Sequence, residues 1–335
     1  MKRIIYMIKR IFEMDFKQMF KTSNRLAKRL KKPTIVILLD IIYCGFKYMA
    51  GYVDYEVFCF YNLSKQQRET MITRGINNRF VSILNDKNYT HILDNKLLFN
   101  EKFDKYLKRE RLDLSKATFE DFVLFTNNKK TFIAKPVDLS CGKNIIKIQL
   151  DDNINLEELY NNLIKNNQLL LEECIIQHPQ ISSLYPISVN TLRIVSITKN
   201  NNTHIMFRSI RMGNNGNIVD NFNHGGLFTT IDDSGFINKP AIDKNGVVYK
   251  KHPYTNTNII GFEIPMFKEV IQYVKKMCSE IPEVGYIGWD IALTENGPVV
   301  VEANPFPGHD IYQSKIHMNS DGTGMRKEFE KIIFE

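Results

Sequence analysis

With 335 residues, 43% apolar and 24% charged side chains, the chain has the composition of a folded, soluble protein large enough for two or three subdomains. Its five cysteines (Cys44, Cys59, Cys141, Cys174, Cys278) are scattered and form no CxxC pair, which argues against a disulfide framework or a zinc site and suits a reducing cytosol. The net charge of +8 is unevenly placed: residues 1–32 hold eleven Lys or Arg against Glu13 and Asp15, a net +9, so the remainder sums to −1.

In residues 1–32, Ile4, Ile5, Met7, Ile8, Ile11, Phe12, Phe16, Met19, Phe20 and Leu26 recur at helical spacing between the basic residues. Such a helix either packs its apolar side on the body, leaving lysines in water, or lies on an anionic membrane surface. A nucleic-acid surface would recruit basic residues beyond one arm, so no nucleic-acid partner is expected. The arm lacks the continuous apolar core of a secretory signal. Pro33 ends it. Residues 34–62 are apolar and aromatic, helical in part, and read as core. Their most apolar run, 34–46, carries Asp40 at its middle and is too short to cross a membrane. Another helical pattern covers 64–85, with Arg68, Arg74 and Arg79 on it, and Lys96 opens a helical stretch to 107.

The character then changes. Residues 131–136 form a buried-type strand ending in Lys135, followed by a small polar loop (Val137, Asp138, Leu139, Ser140, Cys141, Gly142, Lys143, Asn144) and a second strand at 145–150. A strand, a Gly-containing loop and a returning strand make a flap whose amides can cover phosphates. After a helix within 151–165, residues 169–176 are an apolar strand running into Glu172 and Glu173. Residues 188–196 are a strand with Asn190 and Leu192 on one face, Thr191 and Arg193 on the other. The strand 205–213 carries Arg208 and Arg211 on opposite sides, and a polar loop (Asn223, His224, Gly225, Gly226) precedes a strand at 227–231. A helix starts at Pro265, and the C-terminus is helical from about 324.

Residues 288–304 carry the strongest signal. Two apolar strands meet at Glu295-Asn296-Gly297, where an Asn-Gly pair favours a hairpin. Asp290 then faces the strand that ends in Glu302 and Asn304, which share a face. Three hard oxygen ligands converge, as Mg²⁺ asks when phosphates and water complete its shell.

Together these segments resemble the ATP-grasp superfamily. More narrowly, Gln177-His178-Pro179, Ser188 to Arg193, Asn223-His224-Gly225-Gly226 and Gly285 to Asp290 look like its sugar-transfer-associated group, related to glutamate-ligase-type enzymes and met in bacterial surface-polysaccharide gene clusters. The resemblance implies an α+β ATP-grasp fold, two subdomains clasping ATP behind a helical, basic N-terminal region. It divides the chain into an arm (1–32), a mostly helical region (33–110), a small subdomain with the flap (111–172) and a C-terminal subdomain with the Mg²⁺ site (173–335). It implies Asp290, Glu302 and Asn304 as ligands of two Mg²⁺ ions, and Lys135 and Arg193 as the catalytic pair at the phosphates and the transferring phosphoryl group. Lys96, Lys135, Ser140, Cys141, Gly142, Lys143, Cys174, Ile175, His178, Asn190 and either Glu172 or Glu173 would line the nucleotide. Arg208, Arg211, Asn223, His224, Gly225 and Gly226 would shape the substrate pocket. The flap is shorter than the ligases' Gly-Ser run.

The expected activity is a Mg²⁺- and ATP-dependent carboxylate–amine ligase. It would join an amine or amino acid to a uronic or related acid, free, nucleotide-linked or lipid-linked, in the cytoplasm or at the inner face of a bacterial membrane. A kinase acting on a sugar or polyol hydroxyl shares every nucleotide residue, and a non-catalytic nucleotide-binding module would lack a metal ligand; none is missing here.

Overall fold

The computed structural model describes residues 15–137, 144–151, 153–310 and 313–335. By compactness the chain divides into two units, residues up to 83 with 308–335, and residues 84–307. Residues 1–14, much of the basic arm, lie outside the described part.

The first unit is helical. Asp15 caps the helix Phe16–Leu30 by accepting from Gln18 N at 2.8 Å, and Lys31, with φ of 54°, ends it before Pro33. The helix Thr34–Tyr48 packs against it. Leu26, Ala27, Ile37, Ile41, Cys44, Tyr48, Tyr55, Phe58 and Phe60 make the core, so part of the aromatic run is buried as expected, while Tyr43 and Phe46 are exposed. Asp40 is explained by Arg68, whose Nη1 and Nη2 each donate to its carboxylate at 2.8 Å, and by the Tyr55 hydroxyl at 2.7 Å. Arg68 is thereby accounted for without a ligand. The distant C-terminal segment completes this unit: Gln313 both accepts from Ile72 N (2.8 Å) and donates to Ile72 O (3.1 Å), and Phe329 of the helix Arg326–Phe334 stacks on Phe80.

The second unit holds two antiparallel sheets. The smaller has the order β1-β4-β2-β3, from Arg111–Asp113 (β1), Thr131–Lys135 (β2), Ile146–Gln149 (β3) and Leu170–Glu173 (β4). The helices Phe119–Thr126 and Leu156–Lys165 cover it through Phe122, Phe125 and Leu163 on Phe132, Ala134 and Leu171. The larger runs β11-β10-β5-β6-β7-β8-β9. Its strands are Leu192–Lys199 (β5), Asn202–Met212 (β6), Leu227–Thr230 (β7), Ala241–Ile242 (β8), Val248–Tyr249 (β9), Tyr286–Thr294 (β10) and Gly297–Asn304 (β11). The helix Phe267–Glu280 buries Val270, Val274 and Met277 among Trp289, Ile291 and Val300. β5 begins at Leu192, so Asn190 and Thr191 precede the strand expected to contain them.

The hairpin β10–β11 forms as read, with Gly297 at φ of 103° closing the turn. Asn85 fixes its open end. Its amide donates to Tyr286 O (2.9 Å) and Pro305 O (2.7 Å), and its carbonyl accepts from Tyr286 N (2.7 Å).

Candidate active site

Asp290 on β10 and Glu302 on β11 are direct cross-strand partners. The register shifts just beyond them, where Ile291 pairs with Val300, so Val301 is an extra residue that bulges the strand beside the carboxylates. Asn304 stands opposite Gly288, and its side-chain oxygen accepts from Phe306 N at 2.8 Å. Trp289, buried and donating to Ser196 Oγ at 3.0 Å, packs into the core beneath.

Arg193 on β5 is in register with Asp290, and Arg211 reaches it from β6. Arg193 Nε and Nη2 (2.9 Å) grip the Asp290 carboxylate, and Arg211 Nη2 donates to it at 2.5 Å. Arg211 also donates to Thr191 Oγ1 (2.8 Å) and lies 3.6 Å from Asp220, which accepts from Thr191 N (2.9 Å) and Oγ1 (2.5 Å). Gly288 leaves the space: a Cβ there would stand 3.1 Å from Arg193 Nη1.

Burial pushes the Asp290 carboxyl up, but the Arg193 and Arg211 guanidinium groups outweigh it and hold it below the usual range. Glu302 goes the other way: burial, then the Asp290 charge, push it up to about 7. Burial also raises Asp220 against the pull of Arg211. Two buried arginines thus meet three carboxyls, one of which holds a proton near neutrality. Such a centre is short of positive charge.

That is the setting a divalent cation fits. Two carboxylates and an amide oxygen suit Mg²⁺, which keeps waters and phosphate oxygens for the rest of its shell. No group of three His, Cys, Asp or Glu is placed to hold a metal ion by itself among the described residues, so phosphates and water would have to complete the coordination. Each carboxylate oxygen offers two lone pairs, which leaves Asp290 acceptor capacity beside its arginines.

A second buried cluster lies at the end of β2. Glu172 on β4 accepts from Lys135 Nζ (2.8 Å), Arg109 Nε (3.0 Å) and Asn100 Nδ2 (3.1 Å). Burial would raise its carboxyl, but Arg109 and Lys135 hold it well below the usual range. Arg109 Nη1 also donates to Val300 O on β11 at 2.7 Å, linking the two sheets, while its Nη2 is buried with no hydrogen-bond partner among the described residues. Lys96 reaches the same strand end, Nζ to Val137 O at 3.4 Å. Two cations on one carboxylate, with a donor unmet, make a centre short of an anion. The flap residues Ser140, Cys141, Gly142 and Lys143 lie outside the described part.

Other expected site residues take different places. Glu173 is exposed and accepts from Glu110 N at 3.1 Å, so of the two acids Glu172 is the one inside the cluster. Cys174 and Ile175 follow β4 half-buried. His178 caps the short helix Pro179–Ser182 through its Nδ1. Asn190 is wholly buried, its amide donating to Tyr185 O (2.8 Å) and Ile181 O (3.2 Å) while its backbone N–H donates to Gln177 (2.7 Å). Both thus brace the local fold, Asn190 through its side-chain amide and His178 through Nδ1. Arg208 is ion-paired with exposed Asp233, on the opposite side of β6 from Arg211. Asn223 and His224 are exposed on a one-turn helix, Phe222–His224, whose loop closes tightly at Gly226; a Cβ there would meet Asp220 O at 2.4 Å. Arg109, Asn100 and Asp220 had no sequence signal beyond their polarity, because each finds its partner far along the chain, and Thr191 was legible only as sharing a face with Arg193.

A family model described as sugar-transfer associated ATP-grasp matches residues 68–331. A comparison with curated proteins found no match. Among solved structures the chain is similar to the D-alanine–D-alanine ligase of Bacillus anthracis (10% identity, 77% of this chain and 73% of that one, TM-score 0.43). It is also similar to the L-amino acid ligase of Bacillus licheniformis, at 12% identity and a TM-score of 0.38, covering 66% of this chain but 42% of that one. A third is the N5-carboxyaminoimidazole synthetase of Staphylococcus aureus complexed with ADP (14% identity, 70% and 52%, TM-score 0.43). Likenesses of this size say nothing about substrate.

Proposed function

The chain belongs to the sugar-transfer associated ATP-grasp family, and from that premise we propose that it is a Mg²⁺- and ATP-dependent carboxylate–amine ligase acting in the building of a cell-surface glycan. The observation that supports this most is the pair of opposed charge clusters, one short of an anion at Lys135 and Arg109, the other short of a cation at Asp290 and Glu302.

In this reading Lys135, Lys96 and the Arg109 donor that has no partner among the described residues hold the phosphates of ATP. Asp290, Glu302 and Asn304 would hold Mg²⁺, which when bound would supply charge neutralisation at the phosphates. Arg193, held on Asp290, would stand beside the transferring γ-phosphoryl group, and Arg211, tied by Thr191 and Asp220, fixes the other side of the same carboxylate. The substrate carboxylate attacks the γ-phosphorus, giving an acyl phosphate and ADP. The amine then attacks the acyl carbon, the C–O bond to phosphate breaks, and an amide forms with release of phosphate and a proton. Excluding water protects the acyl phosphate meanwhile.

The acid is proposed to be a uronic or related sugar acid, since the family is named for sugar transfer; a hydroxyl acceptor on a sugar or polyol would instead make the protein a kinase. ADP and phosphate release across panels of acids and amines tests this. Phosphate dependent on both partners supports the ligase, whereas ADP with the phosphate found on an acceptor refutes it.

A further inference from the structure

The helix Thr34–Tyr48 is apolar on both sides. Ile37, Ile41, Cys44 and Tyr48 face inward. On the opposite side Ile35, Leu39 and Ile42 are 57%, 59% and 38% exposed, flanked by exposed Val36 and Tyr43. A helix apolar all round belongs inside something, yet half of this one faces outward. Its one charge within the apolar run, Asp40, is held by Arg68 and Tyr55 and does not interrupt that face.

The surrounding charge has one sign. Residues 15–48 hold Lys17, Lys21, Arg25, Lys28, Arg29, Lys31, Lys32 and Lys47 against Asp15 and Asp40, a net +6. Lys17, Lys21, Lys28, Lys31 and Lys32 are exposed, and Phe16 and Phe20, one turn apart, stand out among them.

We propose that this helical hairpin docks on an anionic phospholipid surface. The outer face of Thr34–Tyr48, with Phe16 and Phe20, enters the boundary between headgroups and acyl chains, and the lysines meet lipid phosphates. The mode is in-plane. At 15 residues the helix is about 22 Å long, short of a hydrocarbon core about 30 Å thick, and no helix among the described residues is long and apolar enough to cross a membrane. A second copy of the chain fits this face poorly, because a two-fold contact would set two +6 clusters against each other. The aliphatic face also lacks the directed donors and acceptors by which a protein partner would be chosen. This inference stands apart from the reaction assigned above.

The test is flotation of the full chain with phosphatidylcholine vesicles, with and without phosphatidylglycerol. Binding is expected with phosphatidylglycerol alone, weakened by salt. The double substitution Leu39→Gln, Ile42→Gln should weaken it by about a hundredfold or more, since each buried aliphatic side chain counts for more than a factor of ten. Both residues point outward, so unchanged circular dichroism should accompany the loss. Independently, Leu39→Trp should shift its emission to the blue on anionic vesicles. No vesicle binding, or binding indifferent to the double substitution, would overturn the proposal. So would a dimer in light scattering that the double substitution dissolves, which would mean that a second copy covers the face.

Discussion

Around Glu172 one carboxylate meets two cations, Arg109 and Lys135; around Asp290 two arginines meet three carboxyls, Asp290, Glu302 and Asp220. Both clusters are buried and both belong to the unit 84–307, joined by the Arg109 bond to Val300, two residues before Glu302. Their imbalances are opposite. The first leaves a guanidinium nitrogen without an acceptor among the described residues; the second pushes a carboxyl up to about 7. Buried charge is costly when unmatched, so each imbalance marks what is absent. A nucleotide with its metal ion would correct both at once.

The largest expected effect breaks the second cluster. Asp290→Asn keeps the shape but leaves Arg193 and Arg211 facing a neutral amide, and kcat should fall about 10³-fold, as when a transition-state charge loses its partner. Steady-state ADP release measures it.

Glu172→Gln breaks the first cluster through stability. It leaves two buried cations uncompensated, and unfolding should become easier by about 3 kcal/mol, seen in urea denaturation. The sign with pH follows from a depressed native carboxyl. Its stabilisation is present above the unfolded value and disappears as the solution is acidified below the usual carboxylate range, so the gap between wild type and variant should close in acid.

Glu302→Gln should show the reverse trend. A native carboxyl raised to about 7 favours the fold while protonated, and that contribution fades as pH rises from the unfolded carboxylate range through about 7. Without Mg²⁺ the variant should therefore outlast the wild type at pH 8, by on the order of 1–2 kcal/mol for a half-buried group. Thermal denaturation across pH, with and without Mg²⁺, reads this directly. The smallest effect is Arg208→Ala: its surface pair with Asp233 should count for under about 1 kcal/mol, with ADP release unchanged.

The hairpin was legible because it is local. The Asn-Gly turn fixes the register, and the register places Asp290 opposite Glu302. The strand ending in Lys135 could be read for the same reason, from a short buried-type apolar run over a few residues. Arg109 and Asn100 could not, since their meeting with Glu172 spans more than sixty residues and leaves no period in the sequence. His178 and Asn190 stood inside family-like runs, yet those runs fold into an interlocked corner with Gln177. The C-terminal segment's place in the first unit is likewise a matter of distant contacts such as Gln313 with Ile72. For the helix Thr34–Tyr48, a pattern apolar on every side cannot say which side is inside.

The most direct measurement is ADP binding by calorimetry with and without Mg²⁺, in the wild type, Lys135→Met and Glu302→Gln. Two centres with opposite needs predict that Mg²⁺ tightens ADP binding by about tenfold or more in the wild type and in Lys135→Met, but not in Glu302→Gln. They predict also that Lys135→Met weakens ADP whether or not Mg²⁺ is present. Equal response of the two variants to Mg²⁺, or a wild type indifferent to the ion, would contradict the account.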